Sequence, residues 1–339
     1  MSDEDPICCG SGCTNCVLDV KPSKHKLPAG VTNIFDRSYK QFVCETIAQA
    51  TANVFRFRFR YVPNSANDRE CLIVPPGCHL MLRAHRAATH IPERAGNDLL
   101  QAWLEENSGQ TERDSITIIA KQTIQKYDKS EDDLYFSRPY TPIAFDREKG
   151  TFDVLIKLEP GGLMSNYIAT VSVGSHTEWK GIYGDFLWQR NQYRNVVAFV
   201  QGVAIAPIYS TLRAILDDDE DETRLMLCAC FRDLPNVLLR EELHSLAGYW
   251  NFRYAIYLSR RTCACLAGEQ RCNCLTSRLR YNEPIHDQRL DAEEIERLLQ
   301  RSLSDGKHSV LVLLCGTDPF TTFIKSSLER MEIENCYTF

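Results

Sequence analysis

The hydrophobic rhythm of this chain of 339 residues changes near residue 192, and that change restricts the fold more than any other feature. Before residue 168, apolar and polar residues alternate in short runs. Phe55, Phe57 and Phe59 are interleaved with Arg56, Arg58 and Arg60, the period of a strand with one face buried and one in water. Residues 152–158 predict a second strand and residues 80–83 part of a third, with turns at Pro63-Asn64 and Pro75-Pro76-Gly77. This half is expected to form an antiparallel barrel. After residue 192 the runs become uniformly apolar, at 196–200, 225–231, 252–258 and 310–314. Such runs suit strands covered on both faces. Helical spacing separates them, at 208–216, 237–247, 291–303 and after Pro319. In 291–303, Ile295, Leu298, Leu299 and Leu303 share one stripe, and Asp291 with Glu294 predicts a capping box. Alternation of strand and helix implies crossovers and a doubly wound parallel sheet.

The expected architecture is therefore a β-barrel followed by an α/β domain. Residues 1–30 form a Cys-rich appendage without hydrophobic periodicity, 31–190 the barrel, and 191–339 the α/β domain. A polar insertion at about 86–131 carries one helical pattern, Leu99, Leu100, Trp103 and Leu104.

Charge narrows the function. Lys and Arg number 39 against 45 Asp and Glu, a net −6, which does not suit a binder of phosphate backbones. Six consecutive acids, 217–222, equal the whole excess and predict a solvated loop. No stretch reaches the roughly 18 apolar residues of a membrane helix, and the N-terminus has no apolar leader, so a soluble, cytoplasmic protein is expected. Its 15 cysteines are then reduced thiols or metal ligands rather than disulfides. Cys8, Cys9, Cys13 and Cys16 are close enough to surround zinc or an iron–sulfur cluster, or to form a plain reduced tail. Cys263, Cys265, Cys272 and Cys274 form a second cluster with the same two readings. His79, His85 and His244 have no partner at ligand spacing and read as structural or surface residues.

Four segments could carry chemistry. Arg138-Pro139-Tyr140-Thr141 offers a guanidinium fork for phosphate, a ring on the same strand face and a hydroxyl. Gly161 and Gly162, ahead of Met164 and Ser165, precede a helix start with free backbone N–H groups. Gly202 to Pro207 forms a tight turn after the strand at 196–200, at the edge where parallel sheets bind dinucleotides. Cys315-Gly316 follows the last long strand, and Asp318 and Pro319 suit the helix that begins after it.

Taken in this order, the segments resemble the ferredoxin–NADP reductase superfamily, and within it the NADH–cytochrome b5 reductases. Gly181 to Phe186, the Leu238-Leu239-Arg240 helix start and the aromatic C-terminus Tyr337-Thr338-Phe339 resemble that family too, and the Cys8–Cys16 segment resembles an oxidoreductase-like N-terminal motif. The resemblance implies FAD as cofactor, NADH or NADPH as donor and a haem protein such as cytochrome b5 as acceptor. By the same resemblance, Arg138 and Pro139 lie at the FAD pyrophosphate with Gly162, Met164 and Ser165. Tyr140 packs on the flavin, Thr141 stands by its N5, and Ile156 and Lys157 line the same groove. Gly202 and Pro207 shape the nicotinamide site, and Cys315 with Gly316 approaches the ring. Thr141 and Cys315 are thus the candidate catalytic residues. Where the family has Gly and Thr, this chain has Ala204 and Ala206, and Asp318 replaces a Pro. After the strand ending at Leu258, Ser259 and Arg260 resemble the NADPH-using members, whose hydroxyl and guanidinium fit a 2′-phosphate. The alternative is a flavin-binding interaction or metal-handling module with little nicotinamide turnover.

Overall fold

The computed structural model describes residues 32–63, 70–89, 100, 102–103, 134–260 and 275–339. The chain divides into two compact units, Met1–Asp185 and Phe186–Phe339.

The first unit contains β1 (Thr32–Asn33), β2 (Lys40–Gln49), β3 (Val54–Tyr61), β4 (Glu70–Cys71), β5 (His79–His85), β6 (Tyr135–Tyr140), β7 (Pro142–Asp146), β8 (Thr151–Lys157) and β9 (His176–Tyr183). Its one described α-helix, α1, spans Leu163–Ala169. Seven of the strands form an antiparallel sheet in the order β6-β5-β9-β2-β3-β8-β7. The hydrogen-bond ladder does not close into the expected barrel: β6 and β7 are its two ends. Yet they are consecutive in sequence, joined by Thr141 alone. The sheet must curl until its two edges approach at that residue, leaving a seam rather than a closed wall.

Alternation along β3 works as expected. Phe55, Phe57 and Phe59 are fully buried with Phe42, Phe136, Phe152 and Trp179, and burial of each such ring is worth about 1.5–3 kcal/mol. On the other face, Arg58 donates to both oxygens of Asp153, at 2.7 and 3.0 Å, and Arg56 adds a bond of 2.9 Å. Asp153 is itself buried, so the two guanidiniums replace its lost hydration. β5 and β6 pair directly, His85 opposite Tyr135. Residues 86–134 therefore form an excursion between two neighbouring strands. Of it, Leu100 and Trp103 lie buried in this unit's core.

The second unit has six parallel strands in the order β13-β12-β11-β10-β14-β15. These are β10 (Asn195–Gln201), β11 (Arg224–Phe231), β12 (Phe252–Leu258), β13 (Ile285–His286), β14 (Val310–Cys315) and β15 (Cys336–Thr338). Its helices are α2 (Ile205–Leu216), α3 (Arg240–Leu246), α4 (Ala292–Ser302) and α5 (Asp318–Arg330). The order reverses between β10 and β14, which makes their carboxyl ends a topological switch point.

Local chemistry corrects several expectations here. Helix α2 begins at Ile205, not Ile208, because Pro207 fits a first turn whose N–H would be unbonded anyway. Helix α3 begins at Arg240, since Leu239 is left-handed with φ 54°. Arg240 then reaches the buried Glu283 with two bonds of 2.6 and 2.5 Å. The Asp291 capping box is half formed: Asp291 accepts from the Glu294 N–H at 2.9 Å. The Glu294 carboxylate turns away to Arg297 and to the Tyr257 hydroxyl. The acidic run is not simply solvated. Asp221 is buried and accepts from the Trp188 indole N–H at 2.8 Å, while Asp218 and Glu220 both pair with Arg190.

Candidate functional site

In the first unit the seam collects the predicted residues of β6. Leu82 pairs with Arg138 and Leu80 with Tyr140, so both side chains leave the strand on the same face as Phe136. Pro139 pairs with Met81 on the opposite face. The Tyr140 ring meets the Trp179 ring edge-on at 6.0 Å. Burial pushes its phenol well above the ordinary tyrosine range, so it stays protonated, with the Arg138 charge opposing the shift. Arg138 donates to the Ser137 carbonyl at 3.1 Å. Thr141 stands in the joint between the two edge strands. Among the described residues none bonds its hydroxyl.

The glycine turn after β8 is knitted at its base. Gly162 N–H donates to the Glu159 carbonyl at 3.0 Å, and Ser165 Oγ accepts from the Glu159 N–H at 2.8 Å. Ser165 keeps its own hydroxyl hydrogen for another partner. Gly161 has φ 74°, and a Cβ there would meet nothing within 4 Å. Met164 is buried in the core of this unit. Ile156 and Lys157, expected to line one groove, leave β8 on opposite faces because strand side chains alternate. Ile156 is core, while Lys157 is exposed and paired with Glu159.

His79, read from the sequence as a structural or surface residue, is half-buried. It opens β5 beside the Leu80–Tyr140 pair, at the level of Thr141, with its ring stacked on Tyr183 at 5.9 Å. Its Nε2 is sealed from solvent with no partner among the described residues, and burial holds its pKa down to about 4.

In the second unit the switch point collects the others. Val200 pairs with Cys315, so the end of β10, Gly202 and Gly316 are neighbours. Gly202 has φ 59°, and a Cβ there would meet nothing within 4 Å, leaving the turn open to a close approach. At Gly316 a Cβ would meet Phe320 Cδ1 at 2.6 Å, so only glycine fits without a shift. Burial pushes the Cys315 thiol up to about 12. It is a neutral, soft wall rather than a thiolate nucleophile. Pro207 is buried in the first turn of α2, where its carbonyl accepts from Thr211 at 2.9 Å.

Ser259 and Arg260 lie further along the same carboxyl edge, exposed past the end of β12. The Arg260 N–H bonds the Arg232 carbonyl at 2.7 Å, placing both arginines at adjacent strand ends. Glycine-opened backbone at a switch point with cations along one edge suits an extended anionic dinucleotide. The clusters at Cys8–Cys16 and Cys263–Cys274 lie outside the described residues. Among the described residues no group of three or more His, Cys, Asp or Glu could hold a metal. No helix among them is long and apolar enough to cross a membrane.

Comparison with known proteins agrees with this geometry. The family described as oxidoreductase FAD-binding domain matches residues 110–188, and that described as oxidoreductase NAD-binding domain matches residues 200–263. A Homo sapiens protein named NADH-cytochrome b5 reductase-like is 27% identical over 342 residues, covering 95% of this chain and 87% of that protein. Its Mus musculus namesake is 30% identical over 189 residues, 56% of this chain, and the chain spans only 55% of that relative. Among solved structures, the cytochrome b5 reductase domain of Ulva prolifera nitrate reductase aligns with a TM-score of 0.61 at 18% identity. That alignment covers 91% of this chain and all (100%) of that one, a likeness of fold.

Proposed function

We propose that this chain, an oxidoreductase with FAD- and NAD-binding domains and similar to proteins named NADH-cytochrome b5 reductase-like, is a member of the ferredoxin–NADP reductase superfamily that passes electrons from a reduced nicotinamide nucleotide through FAD to a haem protein of the cytochrome b5 kind. One observation carries the reading: Arg138, Tyr140 and Thr141, whose hydroxyl has no partner among the described residues, share the seam where the two edge strands meet. FAD, which Arg138, Tyr140 and Ser165 would hold, would supply the hydride-accepting and one-electron chemistry that no side chain of this protein provides.

The protein's own residues orient and exclude. The Arg138 fork neutralises a phosphate, supported by Ser165 and the turn at Gly162. Tyr140 offers a rigid, neutral ring. Thr141 offers a hydroxyl to polar atoms of the flavin ring. On the other unit, Gly202 gives backbone access, Cys315 and Gly316 form an uncharged wall for the nicotinamide, and Pro207 fixes the helix behind it. Ser259 and Arg260, with Arg232 alongside, favour a 2′-phosphate, so NADPH serves at least as well as NADH. The free thiols among the described residues suit a reducing, cytoplasmic setting.

The test adds NADPH or NADH without oxygen to the yellow protein and follows the flavin absorbance. Bleaching within seconds, with NADPH at least as fast as NADH, is expected. A strong NADH preference would remove the role given to Ser259 and Arg260. Absence of bleaching with both would favour the second reading, a flavin-binding module with little turnover, to which Ala204 and Ala206 lend support by narrowing the turn after β10.

A further inference from the structure

Gln201, the last residue of β10, stands at the switch point between β10 and β14. Its side-chain oxygen accepts from the Thr317 backbone N–H at 3.3 Å and from the Thr317 hydroxyl at 2.8 Å. A backbone N–H can only donate, so the atom facing Thr317 must be the amide oxygen. The geometry of the planar amide then turns its NH2 group away from that turn. Gln201 is exposed, and among the described residues nothing accepts from Nε2. Gly316 packs against the same side chain, since a Cβ there would come within 3.1 Å of Gln201 Cβ. On the other side Gly202 leaves open space. One amide thus holds the turn that follows Cys315 and presents two donors at the mouth of the crevice.

We propose that Gln201 is a binding and positioning residue of the nicotinamide-nucleotide site. Its oxygen fixes the 315–317 turn, and its NH2 group donates to an acceptor oxygen of the bound nucleotide. The inference rests on this sheet edge being a nucleotide site. Two parts of such a ligand offer the acceptor, the diphosphate and the nicotinamide carboxamide, and ADP-ribose, which carries only the first, separates them.

The experiment uses the full chain with FAD and titrates NADP+, NAD+ and ADP-ribose, reading the flavin difference spectrum and heat of binding. Gln201→Glu keeps an acceptor for Thr317 but replaces the donors with a negative oxygen. It is expected to weaken the preferred nucleotide about tenfold, with KM rising in step and kcat and flavin content kept. Thr317→Val, which removes the shorter of the two bonds that hold the turn to Gln201 and leaves the donors, is expected to weaken binding about threefold. A parallel loss for ADP-ribose assigns the bond to the diphosphate; loss for the dinucleotide alone assigns it to the carboxamide. Wild-type affinity in Gln201→Glu would overturn the donation, and wild-type affinity in Thr317→Val would overturn the positioning. A wild-type protein that bleaches with neither nucleotide and binds none of these ligands would instead remove the nucleotide reading beneath it.

Discussion

The two units build their candidate sites by opposite means. In the first, one short segment from Arg138 to Thr141 supplies a charge, a ring and a hydroxyl at a seam between strand edges. In the second, the path of the main chain makes the crevice, through a left-handed glycine at 202 and a glycine at 316 with no room for a Cβ. A site made of side chains demands particular residue types. A site made of backbone demands particular conformations, and it accepts Ala204 and Ala206 within helical geometry as long as the path is kept.

The comparison breaks most sharply at Trp179, which the first unit packs against Phe59 and Phe152 at 5.0 Å and against Tyr140. Trp179→Ala is expected to cost about 3–5 kcal/mol and to release the flavin, because Tyr140 loses its support. Denaturant unfolding with flavin release followed in parallel checks it. Retained flavin would show that the seam stands without its core. A smaller effect is expected from Gly316→Ala. Overpacking at Phe320 should raise the nucleotide KM about tenfold with flavin content unchanged. Steady-state kinetics would read this, and an unchanged KM would mean that the β14 turn yields easily and the backbone account is wrong.

A pH dependence of stability is also expected. The His79 imidazole titrates at about 4 in the folded chain against 6.5 ordinarily. Between those values the unfolded chain binds the extra proton, so stability falls as pH drops through this window and is level above it. His79→Gln should flatten the slope there, measured as denaturant midpoints on either side of the window. Equal slopes in both proteins would show that His79 has a partner when it titrates.

Legibility followed the range of the forces involved. The alternation in β3 and the apolar runs of β10, β11, β12 and β14 are local, and the sequence shows them directly. Two-residue strands such as β1, β4 and β13 exist only because a neighbour pairs with them, so no local pattern announces them. Asp221 reads as one more acid in a charged run until Trp188 arrives from 33 positions away. The motif residues of the site were legible, but their meeting place was not: only strand order puts β6 and β7 at opposite ends of a sheet and Thr141 between them.

The bond from Thr317 to Gln201 joins residues 116 positions apart. β10 pairs with β14 across β11, β12 and the helices between them in sequence, so this pairing closes one of the longest loops in the second unit. Strand β7, by contrast, finds its partner β8 within a few residues, Asp146 opposite Thr151. The hairpin that follows Thr141 is therefore closed by local contacts, whereas the crevice at Gly202 depends on a pairing between segments far apart in the chain.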